Sequence, residues 1–140
     1  MGYRRKIREL ALGYLYQQDC KIETLTEDPE KFFAHFADVQ NQREFFFKIV
    51  EGVTTHLEKL DQDISAVAEH WKLSRMARVD RVILRIASWE LLEEPDTPHR
   101  VVIDEAVEIA RKFSTEESAS FVNGLLDHLA RKYRKTETEA

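Results

Sequence analysis

Apolar residues recur at three- and four-residue spacing along nearly the whole chain, while the alternating pattern of a half-buried strand is almost absent. That period predicts helices over about 3–20, 29–38, 41–59, 60–70, 75–93, 101–113 and 116–134. Several boundaries carry their own chemistry. Asp28-Pro29 reads as an N-cap followed by proline at the first helical position. Ser114-Thr115-Glu116-Glu117 offers a capping box with Ser114 as the cap. Glu94-Pro95-Asp96-Thr97-Pro98 breaks two helices apart, and Thr136–Ala140 is expected to fray. One run competes with this picture. Arg100-Val101-Val102-Ile103 is β-branched like a strand, but it is short and leads straight into a good helical pattern. It reads as an extended approach to that helix or as its first turn. The fold class is all-α, and residues 1–140 read as a single domain without repeat or linker.

Helical projection separates core from surface. In the first helix Ile7, Leu10, Ala11, Tyr14 and Leu15 share one apolar arc, whereas Arg5, Leu12 and Tyr16 fall elsewhere, with Arg8 at the margin. Tyr14 is therefore a core candidate and Tyr16 an outward one. An arginine face with an exposed aromatic suits phosphates and an unstacked base; a plain solvated face is the blander reading. The fifth helix is apolar over most of its circumference, through Val79, Val82, Ile83, Leu84, Ile86, Ala87 and Leu91. Arg78, Arg81, Arg85 and Ser88 form its polar strip. Asp80 and Glu90 fall inside the apolar arc, where a carboxylate must be paired, cap a helix or face a partner. An ion pair to a neighbouring helix is the first reading for Glu90; for Asp80 that reading and a partner contact stand level. In the last helix Val122, Leu125, Leu126, Leu129 and Tyr133 make the core stripe, and Phe121 sits off its centre with His128 on the same edge. Gly124 interrupts that helix at a cost of roughly 1 kcal/mol relative to alanine. Close packing by another helix is the first explanation, approach by a ligand the second.

Charge changes the picture more than composition does. The net charge is −5, which by itself argues against nucleic acid, yet the charges are segregated. Residues 1–8 hold four bases and no acid, 71–85 are again basic, and the stretches between and after are acidic. A basic patch on an acidic body is permitted by that arrangement. Catalytic signatures are missing. The five histidines are scattered without ligand spacing, no glycine-rich phosphate loop occurs, and the lone Cys20 has no activating neighbour. The expectation is a protein that is not an enzyme and holds no cofactor or metal. With no apolar run of about 18 residues and one cysteine, a cytoplasmic setting is expected.

Three separated blocks resemble the NusB family. They are Arg4-Arg5-Lys6-Ile7-Arg8-Glu9-Leu10-Ala11 with Leu15-Tyr16-Gln17; Trp71 through Met76 and Val79-Asp80-Arg81 on to Glu90-Leu91; and Val102 through Phe113 continuing to Phe121-Val122-Asn123-Gly124-Leu125-Leu126-Asp127. The resemblance spans roughly 3–134 and is weakest at 20–65. It implies two packed helical bundles, about 1–59 and 60–135. It implies a transcription antitermination factor that binds boxA RNA together with NusE, a ribosomal protein of the small subunit. That pair nucleates a complex with RNA polymerase, NusA and NusG on ribosomal RNA operons. Carried over by residue, Arg4, Arg5, Lys6, Arg8 and Tyr16 would meet RNA, Glu117, Ser120 and Phe121 would form a second RNA-facing segment, and Asp80 would lie on the surface that receives NusE.

Some positions depart from the family pattern. Ser114 stands where glycine is common, Asp104 where asparagine is, and Ser120 where lysine is frequent. Losing that lysine removes a charge-assisted contact. Two alternatives stay open: an RNA-docking domain of a ribosomal RNA methyltransferase, and a homodimeric, protein-binding helical scaffold.

Overall fold

The computed structural model describes residues 2–20, 28–37, 42–68 and 75–138, and these are almost entirely helical. The helices are α1 (Gly2–Cys20), α2 (Pro29–Phe36), α3 (Arg43–Thr55), α4 (Leu57–Ala68), α5 (Arg78–Glu93), α6 (His99–Phe113), α7 (Glu116–Tyr133) and α8 (Lys135–Thr138). Asp28 caps α2 as its sequence promises, its side chain accepting from the Lys31 N–H with Pro29 at the first turn. The cap of α7 lies one residue later than expected: Thr115, not Ser114, accepts from the Ser118 N–H. Arg100–Ile103 is the first turn of α6, because the N–H groups of Val101 and Val102 both reach the Pro98 carbonyl. The break between α3 and α4 falls at His56 rather than after residue 59.

The tail is more ordered than its composition suggests. Arg134 donates to the carbonyls of Leu91, Glu90, Glu94 and Thr97 and to the Glu137 carboxylate. That one guanidinium closes the end of α5, where all but the Glu90 carbonyl lack a helical N–H partner. Glu137 also accepts from the His99 backbone, so the α8 turn is pinned to the start of α6.

α5 is the hub, packed against α1, α3, α4, α6 and α7. Its apolar arc is buried as the projection requires, apart from the half-buried Val79, and even Ser88 on its polar strip is fully covered. Around it, Tyr14, Phe32, Phe33 and Phe46 join α1, α2 and α3 with ring centroids 5.1–6.3 Å apart. α3 can cross α5 this closely only through Gly52. A Cβ there would sit 1.9 Å from Nε1 of Trp89.

The arginines of α5 turn inward. Arg81 and Arg85 each reach a different carboxylate oxygen of Asp19 at 2.9 Å, Arg78 donates to the Asp19 carbonyl, and Arg85 forks onto Asp61 at 2.8 and 2.9 Å. Within the described residues, the basic character of the 71–85 stretch is therefore largely spent on tying α1, α4 and α5 together. Burial works against charge on Asp19, but the Arg85 and Arg81 guanidinium groups still hold its carboxyl below the ordinary range.

Candidate RNA and partner interface

The outer face of α1 divides its basic residues into three situations. Arg5 and Lys6 are exposed, and Arg4 is half-buried with its guanidinium 4.2 Å over the Phe45 ring. Arg5 is not idle: it forks onto Glu105 of α6 at 2.9 and 2.6 Å. The Arg5 hydrogen bond outweighs burial and keeps the Glu105 carboxyl below its usual value. Arg8 departs from the sequence reading. Its side chain is 4% exposed and grips Glu90 through two hydrogen bonds of 2.7 and 2.9 Å, with Glu105 at 3.6 Å behind it. An RNA phosphate cannot reach a guanidinium so enclosed. The ion pair expected for Glu90 exists, and its partner is the arginine that had been assigned to the surface. Leu12, placed off the core arc by projection, is likewise buried, facing Ile83, Ile86 and Ala87 of α5 and Val102, Ala106 and Ile109 of α6. Tyr14 and Tyr16 behave as expected, 2% and 40% exposed.

The second patch gathers at the start of α7. A cleft of about 180 Å3 is walled by Arg75, Met76, Asp80, Glu117, Ser118 and Phe121. Asp80 is buried, and the Ser118 hydroxyl donates to its Oδ2 at 2.7 Å. Ser118 is itself held by the hydroxyls of Ser114 and Thr115. The other oxygen, Oδ1, finds no hydrogen-bond partner among the described residues. A half-satisfied buried carboxylate is costly, and a donor from outside would relieve it. The structure thus brings Asp80, Glu117 and Phe121 into one cleft. Ser120 is exposed on the far side of Phe121, in a shallow groove with Val67, Ala68, Gly124 and His128. Gly124 lies open there: among the described residues nothing comes within 4 Å of where its Cβ would be. Among the described residues no helix packs closely on this glycine, the first explanation from sequence.

The α1 residues line neither the cleft nor the groove. Only Tyr16 lies towards the Asp80 end of α5, because Asp19, three residues on, is clamped to Arg78 and Arg81; Arg8 pairs with Glu90, so the basic residues of α1 lie towards the other end of α5.

The NusB family model matches residues 5–131. The chain belongs to the NusB family. Among curated NusB relatives, the transcription antitermination protein NusB of Trichlorobacter lovleyi is 46% identical over 129 residues, covering 92% of this chain and 91% of that protein. The NusB of Elusimicrobium minutum is also 46% identical, covering 96% and 97%. Among solved structures, T. maritima NusB aligns with a TM-score of 0.84 at 36% identity, over 98% of this chain and 97% of that one. A structure of the antitermination factors NusB and NusE in complex with dsRNA aligns with a TM-score of 0.79 at 27% identity, over 95% and 99%. The all-α NusB fold expected from the three sequence blocks is the fold observed.

Two features of this NusB-family chain were not anticipated from its sequence. One is the Arg8–Glu90–Glu105–Arg5 network, which runs from the buried core to the exposed edge of α1. The other is the exposure of Phe36 and Phe113, 51% and 46% open. Among the described residues no group of three His, Cys, Asp or Glu side chains could hold a metal, and no helix is long and apolar enough to cross a membrane.

Proposed function

We propose that this protein is a bacterial transcription antitermination factor that binds boxA-type RNA jointly with NusE and catalyses nothing. The observation that carries this reading is the full-length likeness to a NusB solved with NusE and RNA. In that reading Arg5 and Lys6 neutralise phosphates, Arg4 supports them from above Phe45, and Tyr16 offers its ring to an unpaired base. Glu117, Ser120 and Phe121 form the second RNA-facing segment. Asp80 takes an N–H donor from NusE, satisfying the oxygen that has no partner among the described residues. Arg8 acts indirectly, by fixing α1 against α5 and α6. Assembly with RNA polymerase, NusA and NusG on ribosomal RNA operons, in the cytoplasm, follows from the same reading.

The test is a titration of labelled boxA RNA and a scrambled RNA, each with and without NusE. Weak binding alone and much tighter, boxA-selective binding with NusE is the expected result. Equal affinity for both RNAs in every condition overturns the reading. Replacing Arg5 with Glu should abolish binding; if it does not, α1 is not the RNA surface.

A further inference from the structure

A third concavity adjoins the α1 patch and lies apart from the cleft at the start of α7. It is an open groove of about 410 Å3 whose walls include Lys6, Ile7, Glu9 and Leu10 of α1, with Phe36 from the end of α2 and Phe113 from the end of α6. By spacing, both phenylalanines continue buried stripes. Phe36 lies four and three residues beyond the buried Phe32 and Phe33, and Phe113 stands in the same relation to Ile109 and Ala110. Both helices end at these residues, so the rings overhang the core and stand about half open. Two large rings exposed on one groove mark a surface that something covers.

The charge around the groove selects the occupant. Lys6 stands exposed on one wall, and the Lys112 ammonium lies 5.3 Å from the Phe113 ring centroid. Lys112 also bridges to Glu9 at 3.0 Å, so an ion pair interrupts the apolar floor. A partner helix needs a continuous apolar strip to dock on. A nucleotide instead needs a flat ring face beside a cation, which is what alternates here. The groove also continues the α1 face. At about 100° per residue, Glu9 projects roughly 20° from Tyr16 and 40° from Arg5. A strand of RNA on Arg5 and Tyr16 therefore passes the mouth of this groove.

We propose that Phe36 and Phe113 form a further base-stacking station for unpaired nucleotides of the same RNA, with Lys6 and Lys112 beside the flanking phosphates. The station rests on the RNA-binding reading above and extends its footprint to the ends of α2 and α6.

The experiment measures fluorescence anisotropy of a labelled single-stranded boxA RNA carrying ten flanking nucleotides on each side, with the protein partner present. Phe36→Leu and Phe113→Leu are each expected to weaken binding about tenfold, within the range for loss of one stacked base. Phe113→Trp should retain wild-type affinity. If both leucine variants bind like wild type while Arg5→Glu abolishes binding, the RNA function stands and the station is overturned. If wild type binds no RNA, the functional reading fails and the station with it. If the leucine variants keep RNA affinity but lose the protein partner, the groove is a protein dock and the station is again overturned. Should a variant fold poorly, wild-type protein is crosslinked to RNA bearing 4-thiouridine in its flanks. Crosslinks in the peptides holding Phe36 or Phe113 support the station, and crosslinks confined elsewhere refute it.

Discussion

Removing the Arg8 side chain separates two roles that look alike in a binding assay, contact with RNA and support of the surface that makes contact. In Arg8→Met the carboxylate of Glu90, 1% exposed, loses both hydrogen bonds and its only close cation among the described residues. Breaking a buried pair from one side costs about 3–5 kcal/mol. A loss of about 3–4 kcal/mol lowers the melting temperature by roughly 10–15 °C for a chain of this size. Glu90→Leu should cost less, since Arg8 keeps Glu105 at 3.6 Å. Arg8→Met with Glu90→Leu replaces the pair by apolar side chains and should recover most of the stability. The assay is thermal unfolding by circular dichroism at pH 7, with RNA binding measured well below each melting point. The folded double variant should still bind RNA. An unchanged melting temperature together with lost RNA binding would refute the argument.

Three further outcomes follow. Gly52→Ala drives a methyl into Trp89 and should destabilise by about 1–3 kcal/mol, with a shifted tryptophan emission maximum. Burial opposes ionisation of Asp63, but the Tyr133 hydroxyl and the Lys59 and Lys132 ammonium groups outweigh it and hold its carboxyl at about 2, below the ordinary 3.8. Stability from this depressed carboxyl is therefore full above about pH 4 and lost as pH falls towards 2; Asp63→Asn should cost about 2 kcal/mol at pH 6 and little near pH 2 in urea titrations. Ser120→Lys restores a cation common in the family and should tighten RNA binding several-fold in the titration described above; unchanged affinity would remove Ser120 from the RNA surface.

Helix positions were legible because the apolar period is nearly unbroken, and Asp28 and Tyr14 could be placed because their signals are local. What failed was long-range. Arg8 at the edge of one arc and Glu90 inside another were two misfits 82 residues apart, each the answer to the other, and nothing in spacing along the chain joins them. The α7 cap was misassigned because Ser114 and Thr115 both offer a hydroxyl, and only backbone geometry chooses between them. The exposure of Phe36 and Phe113 lies beyond helical projection for another reason. Helical phase says which way a side chain faces, but whether a neighbour stands there depends on where the other helices end. Gly124 shows the same limit, since phase marks it as unusual without saying what approaches it. The Asp80 cleft was half legible. Sequence flagged the carboxylate, and the fold supplied Ser118 and Phe121 beside it.

The Arg5–Glu105 pair bears on which polyanions this surface will accept. A phosphate arriving at Arg5 must share or displace a carboxylate already seated on the same two N–H groups. Charge alone therefore gains less there, and a featureless polyanion such as polyphosphate or heparin must compete with Glu105 for that arginine. A ligand that also brings a base for Tyr16 can offset that competition. The occupied arginine thus acts as a filter, favouring shape and stacking over sheer negative charge.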